Sequence, residues 1–262
     1  MPRPIEDPTE AAELAVFARK SQSLAAAAAE GLPGTFESHR LGGLRATIAT
    51  EDQFGFLNTI EGVTDQSVAL LPDLLMRFAD PQRTTIIASY PSPELAHQLR
   101  NEGYAPTAAR PIAYLSQNAD FRAWEPEVAG WVVREVSTKD QATLFMELLE
   151  AGYAATSAVA DLIRAEHAFP LIRRFIAWRN SQPLAAAAMS IHATGAVLGG
   201  ACTLSTARGT GAQSALLAHR LRLAEDLNIQ LAAATAAPGS PSIRNLAKLG
   251  FTIVERTAWR RR

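Results

Sequence analysis

The sequence predicts a mixed α/β protein made of two halves of similar element order. Three observations predict it: helix-like and strand-like runs alternate along the chain, a polar stretch with a proline and a glycine interrupts them near the middle, and one late feature recurs on both sides of that stretch. The recurring feature is a strand, a proline-containing corner, a helix, then glycine and an aromatic. In the first half it is IIASYPSPELAHQLRNEGY, closing on Gly103 and Tyr104; in the second it is LAAATAAPGSPSIRNLAKLGF, closing on Gly250 and Phe251. The shared order favours an internal duplication of one α/β unit.

Residues 8–30 are rich in Ala, Leu, Glu and Lys with apolar positions at helical spacing, and GLPG stops them, which predicts a leading helix. Strands follow at 43–49 (GLRATIA) and 56–63 (FLNTIEGV), then a helix at 66–79, a strand at 84–90, a helix at 93–102 and a strand at 104–115. Residues 116–130, SQNADFRAWEPEVAG, break every periodicity and read as the linker. This divides the chain into an N-terminal lobe, 1–120, and a C-terminal domain, 130–262. Beyond the linker the pattern gives a strand at 131–136, helices at 138–151 and 157–168, and a hairpin of 175–180 with 184–193 around NSQP. A strand at 196–204, a helix at 211–227, a strand at 229–236, a helix at 240–249 and a final strand from Phe251 complete it.

Composition excludes several classes. With 25 basic against 26 acidic residues the chain lacks the broad positive field that a nucleic acid or an anionic membrane surface would select. The first residues carry acids where a secretory signal needs bases, and no apolar run approaches the roughly 20 residues of a membrane span. The one cysteine, Cys202, permits neither an internal disulfide nor a cysteine-based zinc cluster, so a cytoplasmic protein without a metal is expected.

TARGTGAQSALL, residues 206–217, joins a strand to a helix through two glycines. Pyrophosphate binding needs backbone N–H groups converging on one concavity, glycines where the chain turns tightly, and a helix starting there; Arg208, Gly209, Thr210, Gly211, Ala212 and Gln213 meet these requirements. A dinucleotide fingerprint would need a third glycine where Ser214 stands, and a Walker A loop would need Gly-Lys-[Ser/Thr]. On spacing alone the run reads equally as a phosphate loop and as an ordinary strand-to-helix corner.

The run from Arg208 to Leu217 resembles the acyl-CoA loop of the GNAT superfamily of N-acyltransferases, whose pattern is [QR]-x-x-G-x-[GA]; Arg208 and Gly211 match, and Gln213 departs at the last position. PGSPSIRNLAKLGF, 238–251, resembles a second motif of one branch of that superfamily, in the same order along the chain. The likeness covers residues 130–262 well and the first half more loosely. It implies two tandem GNAT-like lobes, each a twisted, mostly antiparallel sheet with flanking helices and a splayed central strand pair.

The resemblance also implies a chemistry. Pantetheine would lie in the splay and pair with the backbone of Ala201, Cys202 and Thr203, one of whose N–H groups would polarise the thioester carbonyl. Arg208 to Gln213 would cradle the pyrophosphate, with Asn245 as a further contact. The donor is acetyl-CoA, the acceptor an amine of a small molecule, and the attack direct. An acyl-CoA-binding sensor without turnover, and transfer of a larger acyl group, are the alternatives. The superfamily's usual acid, a tyrosine five positions before the Gly-Phe aromatic, is Leu246 here, leaving Ser242 as a substitute acid and His192 as a base acting through water.

Cys202 has no cation or base near it in sequence, so a buried strand residue is the expected role rather than a nucleophile. Glu150 and Tyr153, between two helices, are candidates for the acceptor wall, as are Asn58 and Glu61 in the first half, where a hydrogen-bonded turn is the competing role. The first half has GVTDQSV where the second has its glycine loop, and an aspartate beside a pyrophosphate would repel it. That lobe is expected to be a scaffold that binds no CoA. The terminal WRRR, 259–262, reads as a frayed, solvated tail, and the oligomeric state as monomer or homodimer.

Overall fold

The computed structural model describes residues 5–116, 130–153 and 156–261. The predicted linker falls almost entirely outside these residues. The chain begins with α1 (Pro8–Ala29), followed by strands β1 (Phe36–Leu41), β2 (Leu44–Ala49) and β3 (Thr59–Glu61). Next come α2 (Leu71–Leu75), β4 (Thr85–Ala88), α3 (Pro93–Asn101), β5 (Tyr104–Thr107) and β6 (Ile112–Ser116). The second half runs β7 (Val132–Glu135), α4 (Lys139–Tyr153), α5 (Ser157–Ala168), β8 (Ile172–Arg179), β9 (Gln182–His192) and β10 (Gly195–Thr203). It ends with α6 (Ala212–Asp226), β11 (Leu231–Thr235), α7 (Pro241–Lys248), β12 (Thr252–Val254) and β13 (Thr257–Arg261).

Local chemistry accounts for the boundaries. Asp7 caps α1 by accepting from the N–H groups of Thr9 and Glu10, with Pro8 in the first turn. Gly42 and Gly43, with φ of 50° and 89°, turn β1 into β2; Asn180 and Ser181, with φ of 50° and 62°, turn β8 into β9. Ser92 and Ser240 cap α3 and α7 at equivalent corners of the two halves.

The strands form two sheets, ordered β1-β2-β3-β4-β13-β5 and β12-β6-β11-β10-β9-β8-β7. Read from opposite ends, and apart from the additional edge strand β7 of the second sheet, the two orders correspond: each contains one parallel pair, β3 with β4 and β10 with β11, and the other pairs are antiparallel. The duplication is therefore real, and the lobes are tandem. They also exchange a strand. β6 comes from the first half but lies between β11 and β12, and β13 comes from the end of the chain but lies between β4 and β5. The lobes in space thus differ from the segments 1–120 and 130–262 by one strand each way.

This exchange corrects the tail. Residues 257–261 are a paired strand, with Trp259 set between Ile86 and Pro106 and only 1% exposed. Burying an indole in the first lobe's core outweighs the fraying that three following arginines suggest. Three other segments differ from the sequence reading. Residues 36–41 form a strand that polar FESHRL conceals, 104–115 splits into β5 and β6, and 66–79 condenses to a short turn with α2. β1 is an edge strand with mostly solvated side chains, so no apolar alternation marks it.

Helix α1 ties the lobes together. Its Ala11, Ala12, Ala15 and Val16 pack with Val197, Leu231 and Ala233 of the second sheet, while Leu24 and Ala27 pack with Phe36, Ala49 and Phe54 of the first lobe. Small residues let the helix lie close to the strands. On the opposite face of the second sheet, α6 and α7 bury Leu216, Leu217, Leu221, Ile243 and Leu246 against β9, β10 and β11.

Candidate active site

The second sheet opens at its parallel pair. β10 and β11 are in register only at Ala196 with Ala232 and Val197 with Ala233, after which β10 runs on to Thr203 without β11 beside it. In the first lobe β3 is paired with β4 along its whole length, Thr59 to Glu61, so no equivalent opening exists there. β10 also changes register against β9 between Gly199 and Cys202, a bulge at the point where the opening begins.

The glycine loop stands at the end of the opening. Gly209 and Gly211 take φ of 76° and 95°, and Gly211 is the left-handed cap of α6 without a capping side chain. The helix's first backbone bond is from Ala215 N–H to the Gly211 carbonyl, so the N–H groups of Ala212, Gln213 and Ser214 stand free of the helix ladder, at its positive end. Trp131 pins the loop by donating its indole N–H to the Thr210 carbonyl at 2.9 Å, and the Thr210 hydroxyl donates to the Ala207 carbonyl at 2.6 Å. Arg208 is exposed and reaches back to the Thr203 carbonyl at 3.4 Å.

Gln213 takes a different part from the one expected of it. Its amide donates to the Cys202 carbonyl and to the Thr203 hydroxyl, both at 2.8 Å. Its backbone N–H belongs to the loop, while its side chain fastens α6 to the free end of β10.

On the other face of the sheet, α4 closes on Cys202. The Cys202 thiol donates to the Leu148 carbonyl at 3.1 Å, and burial pushes it up to about 11. A Cβ on Gly152 would stand 2.4 Å from the Cys202 Cβ, so this approach needs glycine. Tyr153, the next residue, is 46% exposed as a whole, but its hydroxyl end is enclosed: burial first, then Cys202 and Glu166, push it up to about 12, opposed by Arg19 and the Ala201 backbone. Tyr153 and Ala201, Cys202 and Thr203 are therefore brought together at the opening.

A buried polar chain extends from there. Arg19 of α1 pairs with Glu166 of α5 at 2.8 Å and donates to the Ser190 hydroxyl at 3.2 Å; Ser190 in turn lies 2.8 Å from His192 Nε2. Burial and the neighbouring Arg19 lower His192 to about 4, so its imidazole is neutral near pH 7. Burial would raise Glu166, but Arg19 and His167 hold it below the ordinary carboxylate range. His167 bonds the Ile163 carbonyl through Nδ1 at 2.8 Å, and its buried Nε2 lies against Gly200. No sequence spacing announces this cluster, because Arg19 is about 150 residues from Glu166.

The remaining candidates sit elsewhere. Glu150 forms a two-pronged ion pair with Arg164 at 2.7 and 2.8 Å, tying α4 to α5. Asn58 is half-buried and bonded through its side chain to both the N–H and the carbonyl of Ala49, so it ties the start of β3 to the end of β2. Glu61 is 1% exposed and enclosed by Lys20 and Arg256. Ser242 is exposed in the first turn of α7, where Ser240 supplies the cap, and Asn245 is half-buried on the same helix. Leu246 is buried in the core beside Phe251. In the first lobe, the turn after β3 is closed on itself: Ser67 and Thr64 exchange side-chain bonds with each other's N–H groups, and the Ser67 hydroxyl reaches the Gly62 carbonyl.

No family model matches the sequence, and no curated protein is similar to it. Solved structures are similar in fold. A tandem GNAT protein from the clavulanic acid biosynthesis pathway superposes with a TM-score of 0.60 at 16% identity, covering 97% of this chain and 94% of the other. The chain has the tandem GNAT fold. Two further matches agree on that fold. A GCN5-related N-acetyltransferase from Kribbella flavida gives 0.58 at 18% identity over 91% and 93% of the two chains, and one from Sphaerobacter thermophilus 0.57 at 15% over 98% and 94%. In the GNAT fold seen here, the open parallel pair and the glycine loop both belong to the C-terminal half. No helix among the described residues is long and apolar enough to cross a membrane, and no group of three or more metal-ligating side chains occurs among them.

Proposed function

We propose that the protein is an acyl-CoA-dependent N-acyltransferase that moves an acetyl group from acetyl-CoA to an amine of a small molecule. The observation that carries this reading is the opening between β10 and β11 with free helix N–H groups at its end. An extended pantetheine arm fits an unpaired strand edge, and a pyrophosphate fits a helix start. Ala201, Cys202 and Thr203 offer backbone to the arm; Arg208 and the N–H groups through Gln213 hold the phosphates, with Asn245 on the neighbouring helix. An N–H of the Ala201 segment polarises the thioester carbonyl as the amine attacks. Neutral His192, in reach of the Ser190 hydroxyl, is the side chain this reading uses to accept a proton through water, and its lowered pKa, about 4, makes it a weak base.

Calorimetric titration with acetyl-CoA tests the site. Gly211→Glu puts a carboxylate and a strained φ at the loop, and is expected to abolish binding while the far-ultraviolet circular dichroism stays unchanged; unaltered affinity overturns the assignment.

One observation favours a second reading. Leu246 is buried in the core, and the hydroxyl of Tyr153 and the thiol of Cys202 are both held too weakly acidic to protonate a leaving thiolate readily. An acyl-CoA-binding sensor needs no acid. Following free CoA with acetyl-CoA, a longer acyl-CoA and a panel of amines separates the readings: release above the uncatalysed rate supports the transferase, and its absence across the panel supports the sensor.

A further inference from the structure

Helix α1 and strand β10 run side by side in the same direction. Val16 packs with Val197, and Arg19 lies against Gly199, where an added Cβ would be 3.2 Å from its Cζ. A helix rises about 1.5 Å per residue and a strand about 3.3 Å, so the next turn of α1, which carries Gln22 and Ser23, comes level with Gly200 and Ala201 at the mouth of the opening. α5 reaches the same place from the other side: Arg19 and Ser23 both stabilise the Glu166 carboxylate, and Glu166 and Arg19 both act on the Tyr153 hydroxyl. On the face away from α6, the opening is therefore walled by α1, α5 and the end of α4.

The charged groups of this wall satisfy one another. Arg19 bonds Glu166 through Nε and Nη2, and the Ser190 hydroxyl through Nη1. His167 Nε2 has no partner, but Gly200 and Ala188 close over it and leave no space for a ligand. Gln22 is different. Its Oε1 is buried without a hydrogen-bond partner among the described residues, although Gln22 as a whole is half-buried and its side chain can turn toward the opening. An oxygen withdrawn from water without a donor is costly, and a ligand that brings a donor recovers that cost. The Gln22 carboxamide is uncharged, and Arg19 already neutralises Glu166, so the wall suits a neutral amine, the form that attacks, better than an ammonium ion.

We propose that Gln22 binds the acyl acceptor: its Oε1 takes one N–H of a primary amine and so turns the amine's lone pair toward the thioester carbon. This rests on the acyltransferase reading of the site. As the N–C bond forms and the C–S bond breaks, the sulfur leaves as CoA thiolate, which takes a proton from water, and the nitrogen loses one of its two protons to water. The other N–H stays hydrogen-bonded to Gln22 Oε1 from bound amine to amide. A secondary amine has a single N–H, whose proton must leave, so its bond to Gln22 is lost during the reaction. The site therefore selects primary over secondary amines.

Release of free CoA from acetyl-CoA, followed with butylamine, benzylamine and glycine methyl ester and with the N-methyl counterpart of each, tests this. For wild type, the most reactive primary amine is expected to exceed its N-methyl counterpart in kcat/KM by about tenfold or more. Gln22→Met keeps the length of the side chain without its oxygen. It is expected to raise KM for that amine about tenfold and to cut the preference to about threefold or less, while the dissociation constant of acetyl-CoA stays within about threefold of wild type. Gln22→Ala gives the same measurement where Gln22→Met does not fold. A wild type without the preference, or a folded variant with unchanged KM and preference, overturns the inference alone. A wild type that binds acetyl-CoA but releases no CoA with any of these amines overturns the transferase reading, and the inference with it.

Discussion

Arg110 and Arg256 hydrogen-bond to each other at the place where the chain twice crosses between sheets. The Arg110 N–H donates to the Arg256 carbonyl at 2.9 Å, and Arg256 Nε donates to the Arg110 carbonyl at 2.8 Å. Arg110 lies in the connection from β5 to β6, which leaves the first sheet for the second; Arg256 lies in the connection from β12 to β13, which returns. Each lobe is completed by the other's last strand, so the two crossings meet as a pair.

Neither half should therefore fold alone. A fragment of residues 1–120 lacks β13, an interior strand of its sheet, and carries β6 without its neighbours. Its expected thermal melt, followed by circular dichroism, is gradual rather than cooperative. Adding back a peptide of residues 255–262 should restore part of the transition, and a cooperative melt of the fragment without it would contradict the exchange.

Arg256 also anchors a buried ionic cluster, bonding Glu61 at 2.7 Å and lying 3.7 Å from Glu13, while Arg45 pairs with Glu13 and Lys20 with Glu61. Burial would raise the Glu61 carboxyl, but Lys20 and Arg256 together pull it well below the usual carboxylate range. A depressed carboxyl contributes stability that is fully present above its unfolded-state value, near 4.5, and lost as pH falls below that toward the folded value. Urea midpoints measured from pH 7 down to pH 3 are expected to fall for wild type. Glu61→Gln should show a shallower fall, and at pH 7 it should be less stable by about 3 kcal/mol because buried Arg256 keeps only its longer contact with Glu13.

The raised Cys202 thiol bears on reactivity. At about 11 it is ionised to roughly one part in a thousand at pH 8, so alkylation by iodoacetamide should be slow in the native protein and complete only in urea. Cys202→Ala is expected to bind acetyl-CoA within about threefold of wild type and to retain whatever transfer wild type shows. Rapid native alkylation, or loss of transfer in a variant that still binds, would show a nucleophile instead.

What the sequence discloses follows from how local each cause is. The glycine loop was legible because Gly209 and Gly211 need left-handed φ and sit beside the helix they cap. The repeat was legible because strand, corner, helix and Gly-aromatic recur in order. The exchange of β6 and β13 was not, since pairing with a distant sheet leaves no mark on 112–116 or 257–261 beyond ordinary strand character. Arg19 and Arg220 were hidden for a related reason. On a helix, an arginine reads as a solvated face, and only the fold shows that Arg19 meets Glu166 and Ser190, and that buried Arg220 on α6 donates to the Ala188 carbonyl of β9.

Gly200 and Gly209 separate conformational strain from lack of space. Both have left-handed φ, 54° and 76°, but a Cβ on Gly209 would meet nothing, whereas one on Gly200 would stand 2.3 Å from His167 Nε2 and 3.1 Å from the Ala188 Cβ. Alanine at 209 therefore costs backbone strain alone, about 1 kcal/mol. Alanine at 200 adds displacement of a buried imidazole held by the Ile163 carbonyl, and the total is expected to exceed about 3 kcal/mol in urea unfolding. The double variant Gly200→Ala with His167→Ala should regain part of the steric share, since the opposing ring is gone. Equal losses at 200 and 209 would mean that His167 does not press on the bulge, and that the shape of β10 at the mouth of the opening is set without it.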